Sequence, residues 1–164
     1  ELMFHYEIGL NRFNRAYLDN LLKDLADDQL DVQPHPELHS ARWILSHLAI
    51  SSDYAFKMLD LPSLCPKAWH KAYGPTSQPG TATDVKLSRA ELLAAIDVGY
   101  TKLCDSLPNF SDEHLSVPHG LELLAKTLLK TRGDLVCHIL TTHFAMHVGQ
   151  LSVNRRMMGQ PPLL

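Results

Sequence analysis

Cysteine is scarce in this sequence, and the cysteines that are present form no recognisable pair. Cys65, Cys104 and Cys137 are odd in number and widely spaced. This pattern predicts neither a disulfide framework nor a Cys-x-x-Cys zinc or redox site. It is typical of reduced thiols, and we therefore expect a cytoplasmic protein.

Long apolar runs are also missing. No stretch approaches the roughly 18 residues that a membrane-spanning helix requires. The beginning of the sequence does not have the pattern of a cleavable signal peptide either. We expect no membrane association, although the sequence begins at Glu1 and earlier removal of a short leader stays an open alternative.

An excess of positive charge is lacking as well. Fifteen Lys and Arg residues stand against eighteen Asp and Glu, for a net charge of -3. Nucleic-acid-binding proteins usually carry a basic stripe that neutralises phosphates, so we expect no nucleic-acid partner. A chain of 164 residues can bury about 70% of its unfolded surface in one core, and residues 1–164 are interpreted as a single domain.

Helical periodicity is what the sequence does have. Apolar residues recur every three or four positions over residues 2–25, 40–59, 88–107 and 132–158, with a shorter helical piece at 121–130, which predicts an all-α four-helix bundle. The first helix has an apolar stripe, formed by Met3, Tyr6, Leu10, Phe13, Tyr17, Leu21 and Leu25. The helix starts are marked by Ser40 as an N-cap and by capping-box spacing at Ser88/Glu91 and Thr131/Asp134.

A long segment rich in Pro, Gly, Ser and Thr, residues 60–86, separates the second and third helices. A connection of this length predicts a crossover that joins parallel helices. It also carries the rings Trp69, His70 and Tyr73, which favours a lid or a wall of a substrate site. An Ω-like loop that packs on its own rings is the alternative.

Ten histidines are the most unusual feature of the composition. His143 and His147 lie four residues apart in the middle of a predicted helix, where such side chains share a face. His35 and His39 have the same spacing, but Pro36 separates them and excludes a helix there. Two imidazoles buried together favour a metal, which accepts a lone pair from each ring.

His47 is the best candidate for a third ligand, because it lies in an otherwise apolar helical run. Three imidazoles make an open site that suits zinc, nickel or ferrous iron. Phe144 follows His143, so the His-Glu-x-x-His motif of zinc proteases is absent. Gln150 and Tyr54 are candidates to orient a ligand or contact a substrate, with ordinary helix packing as the alternative for each.

The remaining candidates receive ordinary interpretations. His138 lies five residues before His143, about 140° away around a regular helix, and is expected to pack elsewhere or face solvent. His5, His70, His114 and His119 lie near helix ends or in loops. Glu7 is the one candidate for an acidic fourth ligand, although the helix edge is the expected place for it. No general base can be identified.

Four segments resemble the DinB-like family: PHP at 34–36, WILSHL at 43–48, HFAMHVGQL at 143–151 and RRMMGQP at 155–161. The family consists of metal-binding four-helix bundles and shares a superfamily with the bacillithiol and mycothiol transferases. The resemblance implies that His47, His143 and His147 are the metal ligands. It also implies a long crossover between helices two and three, and homodimers as a common assembly.

These observations favour a metal-dependent enzyme, a transferase that uses a low-molecular-weight thiol and a small-molecule substrate. A hydrolase is a weaker variant, because no acidic base is evident near the three histidines. The alternative from a different class is a non-catalytic protein that binds a metal or a small ligand in a stress response. A plain bundle with buried histidines is the third interpretation, and it predicts no bound metal.

Overall fold

The computed structural model describes residues 4–79 and 84–163, and within them the chain is all-helical, with a single isolated bridge between Pro118 and Thr131. The predicted start of the first helix, Leu2 and Met3, lies outside the described residues. The α-helical segments are α1 His5–Leu22, α2 Ala41–Met58, α3 Lys67–Tyr73, α4 Arg89–Ser106, α5 Asp112–Leu115, α6 Arg132–His138 and α7 Phe144–Met157. A π-helical turn, Ile139–His143, joins α6 to α7 into one continuous helix.

Four long helices pack into a bundle whose directions follow from their cross-contacts. Arg42 at the start of α2 donates to Leu87 O just before α4, and Ser52 faces Gly99 farther along both helices, so these neighbours are parallel. Asn154 of α7 donates to His39 O, at the start of α2, and α7 therefore runs against α2.

The remaining pairs complete the topology. Asn11 and Leu21 of α1 contact Leu140 and Arg155, so α1 and the last helix are parallel. The order is up, down, down, up, and the long connection between α2 and α4 is the crossover that the sequence predicts.

Polar side chains define the helix ends as predicted. Ser40 accepts from Trp43 N, and both capping boxes, at Ser88/Glu91 and at Thr131/Asp134, are formed. The C-terminal end of α1 has no such cap, and two arginines satisfy its last carbonyl groups instead. Arg89 donates to Leu22 O and Leu25 O, while the buried Arg155 donates to Leu21 O and pairs with Asp24.

The apolar stripe predicted for α1 does not face the core over the first half of the helix. Tyr6, Leu10 and Phe13 are exposed, with 81%, 53% and 60% of their surface accessible. The face that packs on the bundle carries Asn11 and Leu18 instead, both buried. The stripe reaches the core at Leu21 and Leu25, and Tyr17 packs against it while half-buried, so the first half of α1 presents an apolar surface outward.

One shorter prediction also changes. Residues 121–130 do not form a helical piece, because only Glu122–Leu124 make one 3₁₀ turn. The crossover is not structureless, since it contains α3, which packs against α2. Among the described residues, no helix is long and apolar enough to cross a membrane.

Candidate metal centre

Three histidines from two helices meet inside the bundle. His47 comes from α2, His143 ends the π turn and His147 lies one turn later in α7. One ring nitrogen from each lies within 4.8 Å of the others, and His47 Nε2 is 3.1 Å from His143 Nε2. His47 is buried and the other two are half-buried. The arrangement can hold a metal ion.

Carbonyl oxygens fix the orientation of two of these rings. His47 Nδ1 donates to Tyr73 O at 2.7 Å, and His147 Nδ1 donates to the side-chain oxygen of Gln150 at 2.8 Å. A carbonyl oxygen only accepts, so with these partners each ring carries its proton on Nδ1 and its lone pair on Nε2. Metal-binding histidines are held in this way. The buried Nδ1 of His143 has no partner among the described residues.

Burial keeps the three rings neutral, which is the form that binds a metal. Loss of hydration, together with the smaller effects of the nearby rings of His147, His47 and His138, lowers the pKa of His143 to about 2. The pKa of His147 falls to about 4 for the same reasons, although its bond to Gln150 opposes the shift. Burial also lowers the pKa of His47, against the effect of its bond to Tyr73 O.

The π turn places His138 next to the three histidines, which corrects the expectation from the sequence. In a π turn the hydrogen bonds join residues five apart, so His138 and His143 lie one above the other rather than about 140° apart. Their ring centroids are 5.5 Å apart. His138 Nδ1 also lies 2.6 Å from Thr142 Oγ1.

An aromatic stack packs against the ring of His47. The Trp43 ring lies parallel to that of His47, with centroids 5.0 Å apart, and His39 stacks on the other face of Trp43 at 3.4 Å. Trp43 Nε1 donates to Ser77 Oγ in the crossover. His39 itself does not reach the cluster of ligand nitrogens.

A cleft of about 810 Å³ opens beside His47 and His143. Its walls come from α2, the crossover, the segment before α6 and the last helix, and they include Tyr54, Met58, His70, Leu121, Leu124 and His138. The crossover thus forms one wall of the cleft. Tyr54 lies in this wall, and burial raises its pKa, so its hydroxyl stays protonated at neutral pH.

Other candidates from the sequence lie elsewhere. Glu7 is near Cys137 on another side of the bundle and does not join the three histidines. His114 bonds to Met58 O, and His119 bonds to Leu129 O. His70 had an ordinary interpretation as a loop residue, but it lines the cleft and pairs with Asp53. The rings of the crossover drew attention to His70 in the sequence, but nothing in the sequence indicated Asp53 as its partner.

The cysteines of the chain are poor nucleophiles. Burial and the nearby Asp53 raise the pKa of Cys65 to about 12, and burial with Glu7 raises that of Cys137 to about 11. Burial also raises the pKa of Cys104. All three thiols are free and stay protonated at neutral pH, so a thiolate at this centre would have to come from another molecule.

Comparison with known proteins gives a family and a fold. The sequence profile described as the DinB superfamily matches residues 11–151. Among the solved structures, a conserved protein from Enterococcus faecalis is similar, with a TM-score of 0.73 and 16% sequence identity over 98% of this chain and 99% of that one. At this identity the likeness shows the fold alone. No curated protein matches the chain significantly.

Proposed function

The chain belongs to the DinB superfamily, and from this premise we propose that it is a metal-dependent enzyme whose ion is held by His47, His143 and His147. Nitrogen donors of this kind suit zinc, nickel or ferrous iron. Two protein helices supply all three donors, and no acidic fourth ligand accompanies them among the described residues. An ion with these three protein ligands would keep a coordination position open for a small molecule.

The observation that carries the proposal is the hydrogen bonding of the rings. Tyr73 O and Gln150 hold the Nδ1 protons of His47 and His147, which leaves the Nε2 lone pair of each ring free to bind an ion. Without an ion, the neutral His143 ring can donate from Nε2 to Nε2 of His47, 3.1 Å away, but this one hydrogen bond leaves the lone pair of His147 unused. A divalent cation satisfies these lone pairs together.

We propose transfer of a low-molecular-weight thiol to a small electrophile as the reaction. A bound divalent ion lowers the pKa of a thiol and so supplies a thiolate at neutral pH. The cleft beside His47 and His143 offers room for both reactants, and Met58, Leu121 and Leu124 contribute apolar side chains to its walls. The chain's own thiols stay protonated, which favours an external thiol.

Metal content is the first test of the centre. Protein purified without an affinity tag is expected to contain close to one divalent ion per chain, and His143→Ala is expected to lose it, because one of three ligands is removed. His35→Ala, in an exposed turn, is the matched control and should keep the metal. A parent protein that takes up neither zinc, nickel nor iron would contradict the proposal.

Trp43 provides a second readout of metal binding. Its ring is stacked 5.0 Å from that of His47, so a paramagnetic ion such as nickel bound there should quench its fluorescence. The other tryptophan is removed with Trp69→Phe, and this variant is expected to keep the quenching. Trp43→Phe should lose it.

Conjugation of 1-chloro-2,4-dinitrobenzene to L-cysteine, glutathione or 2-mercaptoethanol then tests the reaction. Metal-loaded parent protein should accelerate at least one conjugation, and His143→Ala should not. Stoichiometric metal without acceleration for any thiol would favour the alternative, a non-catalytic metal-binding or small-ligand-binding protein of a stress response.

We also propose that the protein is a cytoplasmic homodimer of one domain per chain. The exposed stripe of Tyr6, Leu10 and Phe13 on α1 supports a second copy as its partner, because such contiguous apolar surfaces mark interaction sites. The three free thiols support a reducing compartment.

A further inference from the structure

The strongest feature outside the three histidines is a buried aspartate in the same cleft. Asp53 of α2 is 2% exposed, and its carboxylate accepts three hydrogen bonds. Leu64 N donates to Oδ1 at 2.8 Å, Cys65 N donates to Oδ2 at 2.9 Å, and His70 Nε2 donates to Oδ2 at 2.8 Å. The carboxylate therefore attaches the crossover to α2 and orients the ring of His70.

The ring of His70 is oriented by this contact and still reaches the cleft. Its Nε2 faces Asp53, its side chain is 25% exposed, and it lines the cleft together with His47 and His143. Nδ1 makes no hydrogen bond to any residue that the structure describes. Because a carboxylate favours the tautomer with the proton on Nε2, Nδ1 carries the lone pair.

His70 is also tied to the metal centre through α3. Tyr73, the last residue of α3, accepts the hydrogen bond from His47, and His70 lies three residues earlier. That distance is about 5 Å along a helix axis. The short helix thus holds a ligand of the centre at one end and an aspartate-oriented histidine one turn away, on the same wall of the cleft.

We propose that His70, oriented by Asp53, is the proton-accepting residue of the reaction; this inference rests on the proposed thiol transfer. The S–H bond of the incoming thiol breaks, its electron pair stays on sulfur, and the proton bonds to Nδ1 of His70. The imidazolium is paired with Asp53 through Nε2–H. The thiolate then bonds to carbon of the electrophile, and the proton leaves Nδ1 with the displaced group, so a thiol and an alkyl or aryl halide give a thioether and the hydrogen halide.

The surroundings favour this role over simple support of the crossover. Leu64 N and Cys65 N already attach the crossover to Asp53, so the imidazole is not needed as the only attachment. Tyr54 contacts the edge of the His70 ring, with centroids 5.7 Å apart. The other charged groups of the cleft are Lys57 and Asp60 from α2 and its end, Lys67 of α3, Glu122 before α6 and His138 across the cleft.

His70→Gln is the informative variant, because the glutamine amide can still donate to Asp53 but has no nitrogen that accepts a proton. Unfolding of the variant should resemble that of the parent. With 2-mercaptoethanol as the probe thiol, proton release on binding to metal-loaded protein is measured by calorimetry in PIPES and Tris, which differ in ionisation enthalpy. The parent should release almost no proton to buffer, and His70→Gln about one per thiol bound.

Nitrogen NMR of histidine-labelled protein provides the second measurement. The His70 signals, identified by their loss in His70→Gln, should show the proton on Nε2 and a lone pair on Nδ1. A proton on Nδ1, or equal proton release by parent and variant, would overturn the inference. If the parent binds no thiol, the proposed thiol chemistry is wrong, and the tautomer of His70 then decides whether the cleft holds a proton acceptor at all.

Discussion

Asn11 is a buried residue of α1 that contacts the π turn beside the candidate centre without belonging to the centre. Its side-chain nitrogen donates to Leu140 O at 2.9 Å, inside the π turn. A π turn departs from the regular hydrogen-bond pattern of the helix, and a donor from another helix compensates at this point. The turn brings His138 next to His143, so Asn11 contributes to the shape of the cleft.

We expect Asn11→Ala to lower the free energy of unfolding by about 1–3 kcal/mol, because it leaves a buried carbonyl without its partner. It should also weaken nickel binding, since the wide turn ends at His143. Urea unfolding and nickel titration measure the two effects. Asn20→Ala, exposed on the same helix, should change neither, and full nickel affinity in Asn11→Ala would contradict the link to the centre.

The low pKa values of His143 and His147, about 2 and about 4 against an ordinary value of 6.5, predict how stability depends on pH. As pH falls below 6.5, the unfolded chain binds protons that the folded chain excludes, so the free energy of unfolding decreases. Above pH 6.5 both histidines are neutral in the folded and in the unfolded chain, so their contribution to the free energy of unfolding no longer changes with pH. Urea unfolding in EDTA at about pH 7.5 and about pH 5 measures the loss, which should be smaller in His143→Gln.

Single residues of the centre could be predicted from the sequence to different degrees. The spacing of His143 and His147 on one helix face was visible, and His47 stood out in an apolar run. The pairing of Asp53 with His70 was not predictable, because it depends on how the crossover folds over α2. The proximity of His138 was missed because the sequence has no clear signal for a π turn.

The helices α2 and α4 approach each other closely at Gly99 and Ser52. A Cβ atom added at Gly99 would collide with the Ser52 side chain, whose Cβ would lie only 3.2 Å away. Glycine here permits the close approach of two parallel helices. The sequence could not show this, because a glycine inside a predicted helix carries no information about its neighbours.

Gly99→Ala is therefore expected to destabilise the protein by about 1–3 kcal/mol through overpacking, despite the better helix propensity of alanine. Thermal or urea unfolding measures the change. Gly149→Ala is the control on α7, where nothing lies within 4 Å of an added Cβ, and it should be neutral or stabilising. If both substitutions changed the free energy of unfolding equally, α2 and α4 would be able to move apart at no cost, and the overpacking explanation would be wrong.

The ends of the helices were predicted better than the faces that the helices bury against their neighbours. Ser40, Ser88 and Thr131 act locally on the first turn of their own helices, so the sequence contains the information needed. The exposed half of the α1 stripe depends instead on which face the other helices cover. A seven-residue helix such as α3 was missed because its stability comes from packing on α2 rather than from propensity.

For the whole molecule, the outward stripe of α1 predicts self-association. Phe13→Asp should convert the proposed dimer into a monomer, because a charge would be buried in an apolar interface, while unfolding of the monomer is unchanged. Light scattering after size-exclusion chromatography measures the mass. Val98→Asp, which alters an exposed apolar residue of α4, should leave the dimer intact, and a monomeric parent would contradict the proposal.

The fold class and the long crossover were predicted correctly from periodicity and connection length. The relative directions of the four long helices could be determined only from the structure, because they follow from contacts such as Arg42 with Leu87 O and Asn154 with His39 O. The family resemblance is confirmed by the profile match to residues 11–151. The ligand assignment and the reaction stay proposals.

The short helix α3 has a consequence for the rate at which an ion escapes from the protein. Tyr73 O holds the ring of His47, and α3 is attached to α2 in part through the contact of His70 with Asp53. Detachment of α3 therefore releases the ring and opens one wall of the cleft in a single event. The residence time of a bound ion and the protection of the α3 amides against deuterium exchange should then be governed by the same opening equilibrium.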